Sequence, residues 1–230
     1  MARRTCESIG EKKKDYKLPG FSKGEELFSA ISHIVGGAFG IVALILGLVV
    51  TIKNGTYLGV ISMIIYGTSL IVLYTMSSIY HFLNVNNAKL VFRILDHCTI
   101  FILIAGTYTP FCLITLNGKS IGIFILCFVW ILAILGVIFN AINMHWKVVK
   151  ILSQTAYILM GWCILIAFNT LLSELGVAGF ILLLLGGISY TVGAITFAFG
   201  TKVRYMHPLF HLFVLLGTIL QFLSIVLYVL

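Results

Sequence analysis

The sequence predicts an all-α integral membrane protein, a bundle of seven transmembrane helices with the N-terminus cytoplasmic and the C-terminus outside. Three observations predict it. The 230 residues are 60% hydrophobic and 10% charged, with a mean hydropathy of +1.12, far from a soluble globular domain. Seven apolar windows of bilayer-crossing length follow one another, separated by short polar punctuation. Lys and Arg fall almost wholly in alternate connections. This composition excludes a Rossmann enzyme, a nucleic-acid-binding module and a disulfide-stapled secreted domain, although the net charge of +8 alone would suit nucleic acid.

Residues 1–28 read as a basic cytoplasmic arm carrying Arg3, Arg4, Lys12, Lys13, Lys14, Lys17 and Lys23, with a helix-start signal at Ser22. The arm is not a cleavable leader, because the apolar run behind it is span-length rather than the ~7 to 15 residues of a signal h-region. Residues 29–230 form one membrane domain. Its predicted spans are Ser29–Ile52, Tyr57–Leu83, Phe92–Leu116, Ser120–Ile142, Ile151–Leu172, Gly176–Phe199 and Tyr205–Leu230. Gly and Asn supply the turn chemistry between most of them, as in Asn54-Gly55 and Asn117-Gly118. With the N-terminus inside, the seven arm cations, Lys89, Arg93, Lys147, Lys150, Lys202 and Arg204 are cytoplasmic, and only Lys53 and Lys119 lie outside. The basic excess is then a matter of topology and of attraction to an anionic inner leaflet.

The five cysteines are odd in number and form no CxxC pair, so they read as small core residues. The 22 glycines, including Gly36-Gly37 and Gly186-Gly187 within spans, read as close helix packing. No window repeats another, so an inverted-repeat transporter is not predicted.

Ionisable groups inside a bilayer are costly and mark functional sites by default. Asp96 is the one acid within a span. His207 and His211, spaced i, i+4, project from one helix face, and two imidazoles so placed can reach one metal ion. Pro208 suits the first turn of that helix. The pair alone would equally suit two histidines anchoring a helix end at the interface. Topology adds His81 at the cytoplasmic end of the second span and Asp96 about one turn inside the third, at the depth of His211. Three neutral imidazoles with a carboxylate nearby form a donor set that zinc accepts, leaving one position for water. Ser77, one turn before His81, can approach the same point or can bond back to its own helix. Asp96 can instead pair with Arg93 at i, i+3. His97 points about 100° away from Asp96 and reads as a packing or interfacial residue. His33 fits either a supporting group or a proton relay, and His145, beside Trp146 and Lys147, fits an interfacial anchor.

These residues sit in a recognisable pattern: Glu25-Glu26 followed by Ser32-His33; Ser77-Ser78-Ile79-Tyr80-His81; Leu95-Asp96-His97 running into Ala105-Gly106-Thr107-Tyr108-Thr109-Pro110-Phe111; Gly186 to Gly193; and His207-x-x-x-His211-Leu212-Phe213-Val214. In them the chain resembles the bacterial hemolysin III family, which belongs with the adiponectin receptor-like (progestin and adipoQ receptor) membrane proteins. The resemblance implies one zinc held by His81, His207 and His211, with Asp96 meeting the metal directly or through its water, and Ser77 as the serine of the SxxxH motif. Because the wider group includes alkaline ceramidases, it also implies hydrolysis of a lipid amide or ester. Gln221 departs from the family pattern, where a His is common, and this removes any relay through that position while leaving the three histidines.

The function expected is therefore a zinc-dependent intramembrane hydrolase of the cell membrane acting on membrane lipids, with Asp96 as general base and Ser77 as hydrogen-bond donor to the developing oxyanion. A receptor-like or homeostasis protein with a structural zinc uses the same residues. A cytolytic pore, as the family name implies, has little support in seven largely apolar spans. No Lys lies within a span, which excludes a retinal Schiff base, and N-in topology is opposite to that of G-protein-coupled receptors.

Overall fold

A computed structural model of the chain describes residues 18–230; residues 1–17, most of the basic arm, lie outside the described residues. Its α-helices are α1 (Lys23–Lys53), α2 (Tyr57–Phe82), α3 (Asn87–Pro110), α4 (Ser120–Asn143), α5 (Lys147–Trp162), α6 (Phe168–Phe199) and α7 (Met206–Tyr228). Among the described residues there is no strand. Six helical runs are long and apolar enough to cross a bilayer, and the outward faces carry large apolar side chains such as Ile34, Ile41, Ile45, Ile134 and Ile138. The protein is thus a multi-pass, all-helical membrane protein whose outer surface meets lipid.

The helix ends follow local chemistry. Ser22 caps α1 with a capping box: its Oγ accepts from Glu25 N at 3.3 Å while Glu25 Oε2 accepts from Ser22 N at 2.8 Å. The helix therefore starts inside the stretch expected to be an arm, and Glu25, at 3% exposure, is buried. Asn86 Oδ1 accepts from Lys89 N at 2.9 Å, so α3 begins at Asn87, five residues before the expected span. Pro110 ends α3, and a five-residue π-turn, Phe111–Thr115, follows it.

The region after α4 departs most from expectation. One helical run, Lys147–Phe199, covers 53 residues and both of the predicted fifth and sixth spans. It is interrupted by a 3₁₀ turn at Cys163–Ala167 and by Gly176, whose φ of 64° and ψ of 174° belong to a region open almost only to glycine. The expected break at Ser173-Glu174-Leu175 is helical, and the chain bends one residue later, where a missing Cβ permits it.

Neighbours in sequence pack as neighbours in space: α1 on α2, α2 on α3, α3 on α4 and α6 on α7, with α1 also against α7. The α1–α7 contact is tied at both ends. Glu25 Oε1 accepts from Tyr205 N at 2.8 Å, and Asn54 Nδ2 donates to Leu230 O at 2.7 Å. On its inner side α1 presents Gly36, Gly40, Ala43 and Gly47, a strip of small residues that brings α2 close. A Cβ on Gly36 would stand 2.5 Å from the Tyr74 ring, whose hydroxyl is hydrogen-bonded to Thr218 Oγ1 at 2.7 Å. At Gly47 the obstacle is the flexible end of Met63. Gly36→Ala should therefore destabilise the bundle by about 1–3 kcal/mol, and Gly47→Ala by less, as read from thermal unfolding in detergent; equal melting of the two would contradict this packing.

Candidate metal centre

One end of the bundle gathers the starts of α1, α3 and α7 and the finish of α2. Three of the predicted ligands meet there. His81 comes from the last turn of α2, His207 and His211 from the first two turns of α7, and all three are buried. His207 Nε2 lies 3.2 Å from His81 Nε2 and 3.1 Å from His211 Nε2, and ligand atoms of the three residues all fall within 4.8 Å of one another.

Hydrogen bonding alone does not satisfy this triangle. A ring nitrogen has one in-plane position, carrying either a proton or a lone pair, yet His207 Nε2 faces two other nitrogens. His81 Nδ1 lies 2.7 Å from Glu26 Oε2, and a neutral ring that donates Nδ1–H to that carboxylate leaves the lone pair of Nε2 facing His207. A shared cation would resolve the conflict. Nitrogens ~2.0–2.1 Å from a tetrahedral centre stand ~3.3–3.4 Å apart, close to the two separations found here.

Glu26 is the residue that spacing did not reveal. It sits in the first turn of α1, read from the sequence as part of a solvated arm, but its second oxygen, Oε1, accepts from Lys89 Nζ at 2.8 Å. Lys89 is itself buried, donates to Leu83 O at 3.0 Å and lies 5.0 Å from the Tyr80 ring. The chain Lys89–Glu26–His81 thus locks one imidazole in orientation and tautomer, the support that metal-binding histidines ordinarily have. The signal available was an acid and a lysine at the same end of the bundle as His81. Glu25 does different work: one oxygen closes the capping box while the other holds Tyr205 N, the residue at φ 64° that begins α7. Through it the start of α1 fixes the helix that carries His207 and His211.

Asp96, partly buried in α3, places Oδ2 3.4 Å from His97 Nδ1 and lies within electrostatic range of His33, His81 and His207. Ser77 Oγ neighbours the Asp96 carboxylate, is fully buried and closes no hydrogen bond of standard geometry. The same His97 Nδ1 also lies 2.9 Å from Arg93 O, so the ring expected to point away from Asp96 instead sits against its carboxylate. His33 lies with its ring 3.8 Å from that of His211 and edge-on to Tyr74, and neither of its nitrogens has a hydrogen-bond partner. Phe21 stacks on His207 at 4.5 Å and covers the cluster from the α1 side. His145, in the α4–α5 connection, is pushed down to about 4 by burial and by the nearby Arg93, Lys150 and His97.

The sequence profile of a family described as Haemolysin-III related matches residues 21–222. Hemolysin-3 of Bacillus cereus is 42% identical over 206 residues, covering 90% of this chain and 92% of the relative. The Hemolysin-3 homolog of Bacillus subtilis (strain 168) is 38% identical over 208 residues, covering 90% and 96%. More distantly, the human monocyte to macrophage differentiation factor is 25% identical over 160 residues, covering 65% of this chain and 63% of the relative.

Proposed function

The chain belongs to the haemolysin III family, among the adiponectin receptor-like membrane proteins, and from that premise we propose that it is a zinc-dependent hydrolase of a lipid amide or ester in the cell membrane. The observation that carries this reading is the triangle of Nε2 atoms on His81, His207 and His211, which hydrogen bonds cannot satisfy and a cation can. These three residues would hold the zinc. When bound, the metal supplies Lewis-acid polarisation of a carbonyl and lowers the pKa of water.

The chain's own groups supply the rest. Asp96 orients a water molecule and takes its proton. The Ser77 hydroxyl, buried beside the Asp96 carboxylate, donates to the substrate carbonyl oxygen as charge develops there. Glu26 and Lys89 hold His81, and Phe21 covers His207, limiting bulk water at the centre.

Seven crossings with a cytoplasmic N-terminus complete the proposal. The 53-residue run would be ~80 Å long if straight, against a hydrocarbon core of ~30 Å, so it is read as two crossings joined at Gly176. The α1–α7 ties support the same count. Helices joined start to start and end to end run parallel, which an odd number of crossings allows and six would not. The distribution of Lys and Arg then puts the cluster in the cytoplasmic leaflet.

A structural zinc that clips α2 to α7 is the second reading, favoured by the stacked cover of Phe21 over His207. Asp96→Asn separates the two. For a hydrolase, the variant keeps its zinc and loses ~100-fold or more of the turnover of an N-acyl sphingoid base or a lipid ester. Zinc-loaded wild type that turns over neither class of lipid would favour the structural role.

A further inference from the structure

A cavity of about 240 Å³ lies beside the histidine cluster, among α3, α4, α5 and the end of α6, and His207 forms part of its wall. Its cations call for no anion, because Arg93 already interacts within the protein and Lys150 is exposed. What the lining leaves unmet is hydrogen bonding. Asn140, at 2% exposure, and Ser153, at 8%, line the space from α4 and α5. The Asn140 amide donates one proton to Gly136 O at 3.0 Å and the other to Ser153 Oγ at 2.9 Å, which uses both protons of Nδ2 and fixes the orientation of the amide. Its Oδ1 meets no donor among the described residues. Ser153 accepts from the amide, so its hydroxyl proton is still to be given, and no acceptor among the described residues takes it. An open acceptor and an unused donor on two bonded side chains, both more than nine-tenths buried, are costly unless a polar group meets them. The neighbouring Tyr157 hydroxyl is already committed to His97 O at 2.9 Å.

We propose that this cavity binds a hydroxyl group of an uncharged polar head, on a lipid or as a free polyol, whose oxygen accepts from Ser153 and whose proton goes to Asn140 Oδ1. A hydroxyl donates and accepts at one atom, and the two protein groups stand on side chains already in contact, so a single hydroxyl meets both. At ~30 Å³ per water, the space has room for a head of a few carbons. The proposal deepens the hydrolase reading and rests on it only for orientation: a head held here lies beside His207, with the linkage behind it at the histidine centre.

The test uses the full chain in neutral detergent, following thermal unfolding by tryptophan fluorescence against the monodecyl ether of glycerol, the same ether with both hydroxyls methylated, and glycerol itself. The free diol should raise Tm saturably and the methylated ether should not. Ser153→Ala, which removes the donor, should move the midpoint about 10-fold higher, and Ser153→Thr, which keeps a hydroxyl, should restore it. Ala198 is an exposed residue of α6 that lines the cavity, so Ala198→Leu fills the space without touching either hydrogen bond. It should raise the midpoint as much, and it carries the test if Ser153→Ala fails to fold. All three variants should keep the metal content of wild type. Glycerol acting at the same concentration identifies a free polyol as the ligand, and a need for about 10-fold more or beyond identifies the lipid. Equal shifts with the methylated ether, no saturable shift with the diol, or a midpoint unmoved in both Ser153→Ala and Ala198→Leu would overturn the proposal. An ether has no amide or ester to cleave, so binding is read without turnover and loss of the hydrolase reading would leave this result standing.

Discussion

His207→Ala combined with His211→Ala should lower the metal content from about one zinc per chain to background, in protein that still purifies as a monodisperse detergent complex. The two rings occupy one face of α7 and supply two of the three converging nitrogens. A single remaining imidazole, His81, cannot hold zinc against the buffer. Folding should survive, because α7 is also anchored elsewhere: Ser189 Oγ donates to Phe213 O at 2.7 Å, Ser224 Oγ to Gly179 O at 2.9 Å, and Tyr74 and Tyr190 both reach Thr218. Elemental analysis of the purified variant checks it. Full metal occupancy in the double variant would place the site elsewhere.

Glu26→Gln should weaken zinc binding by ~10- to 100-fold while leaving all three nitrogen ligands in place. His81 Nδ1 and Lys89 Nζ meet different oxygens of Glu26, so with an amide in the same place one of the two donors faces the NH2 group, which cannot accept. Whichever contact is lost, the consequence reaches the metal. If His81 loses its partner, the ring is free to turn or to move its proton to Nε2. If Lys89 loses its partner, a buried ammonium near the site keeps its bond to Leu83 O but loses its counter-charge. Competition with a chelator of known affinity measures the effect. Unchanged affinity would reduce Glu26 to a surface contact.

Much of the bundle was legible because a bilayer imposes severe rules. Span length, glycine and asparagine punctuation and the Ser22 capping signal placed most helices within a few residues. The π-turn after Pro110 and the 3₁₀ turn at Cys163 were not legible, since both lie in continuous apolar sequence where local preference is flat. Gly176 was visible only as the first residue of a span; its role as the bend depends on a positive φ that sequence does not display.

The histidines were legible for a different reason. His81, His207 and His211 are polar groups in apolar surroundings, and topology brings them to one depth without knowledge of side-chain packing. Glu26 and Lys89 escaped because charged residues beside a membrane usually face water. Composition gave no sign that these two would turn inward, since what draws them there is their pairing with each other and with His81 and Tyr80 of α2. Spacing had also left Ser77 two roles, and the structure puts its hydroxyl beside Asp96 rather than in a bond to its own helix.

Whether the three imidazoles hold a metal ion is read from the metal content of wild-type protein, purified in neutral detergent without affinity resins that carry metal. About one zinc per chain is expected, lost in His81→Ala prepared alongside. Well-folded, monodisperse wild type carrying no transition metal, and taking none up from micromolar zinc, would contradict it.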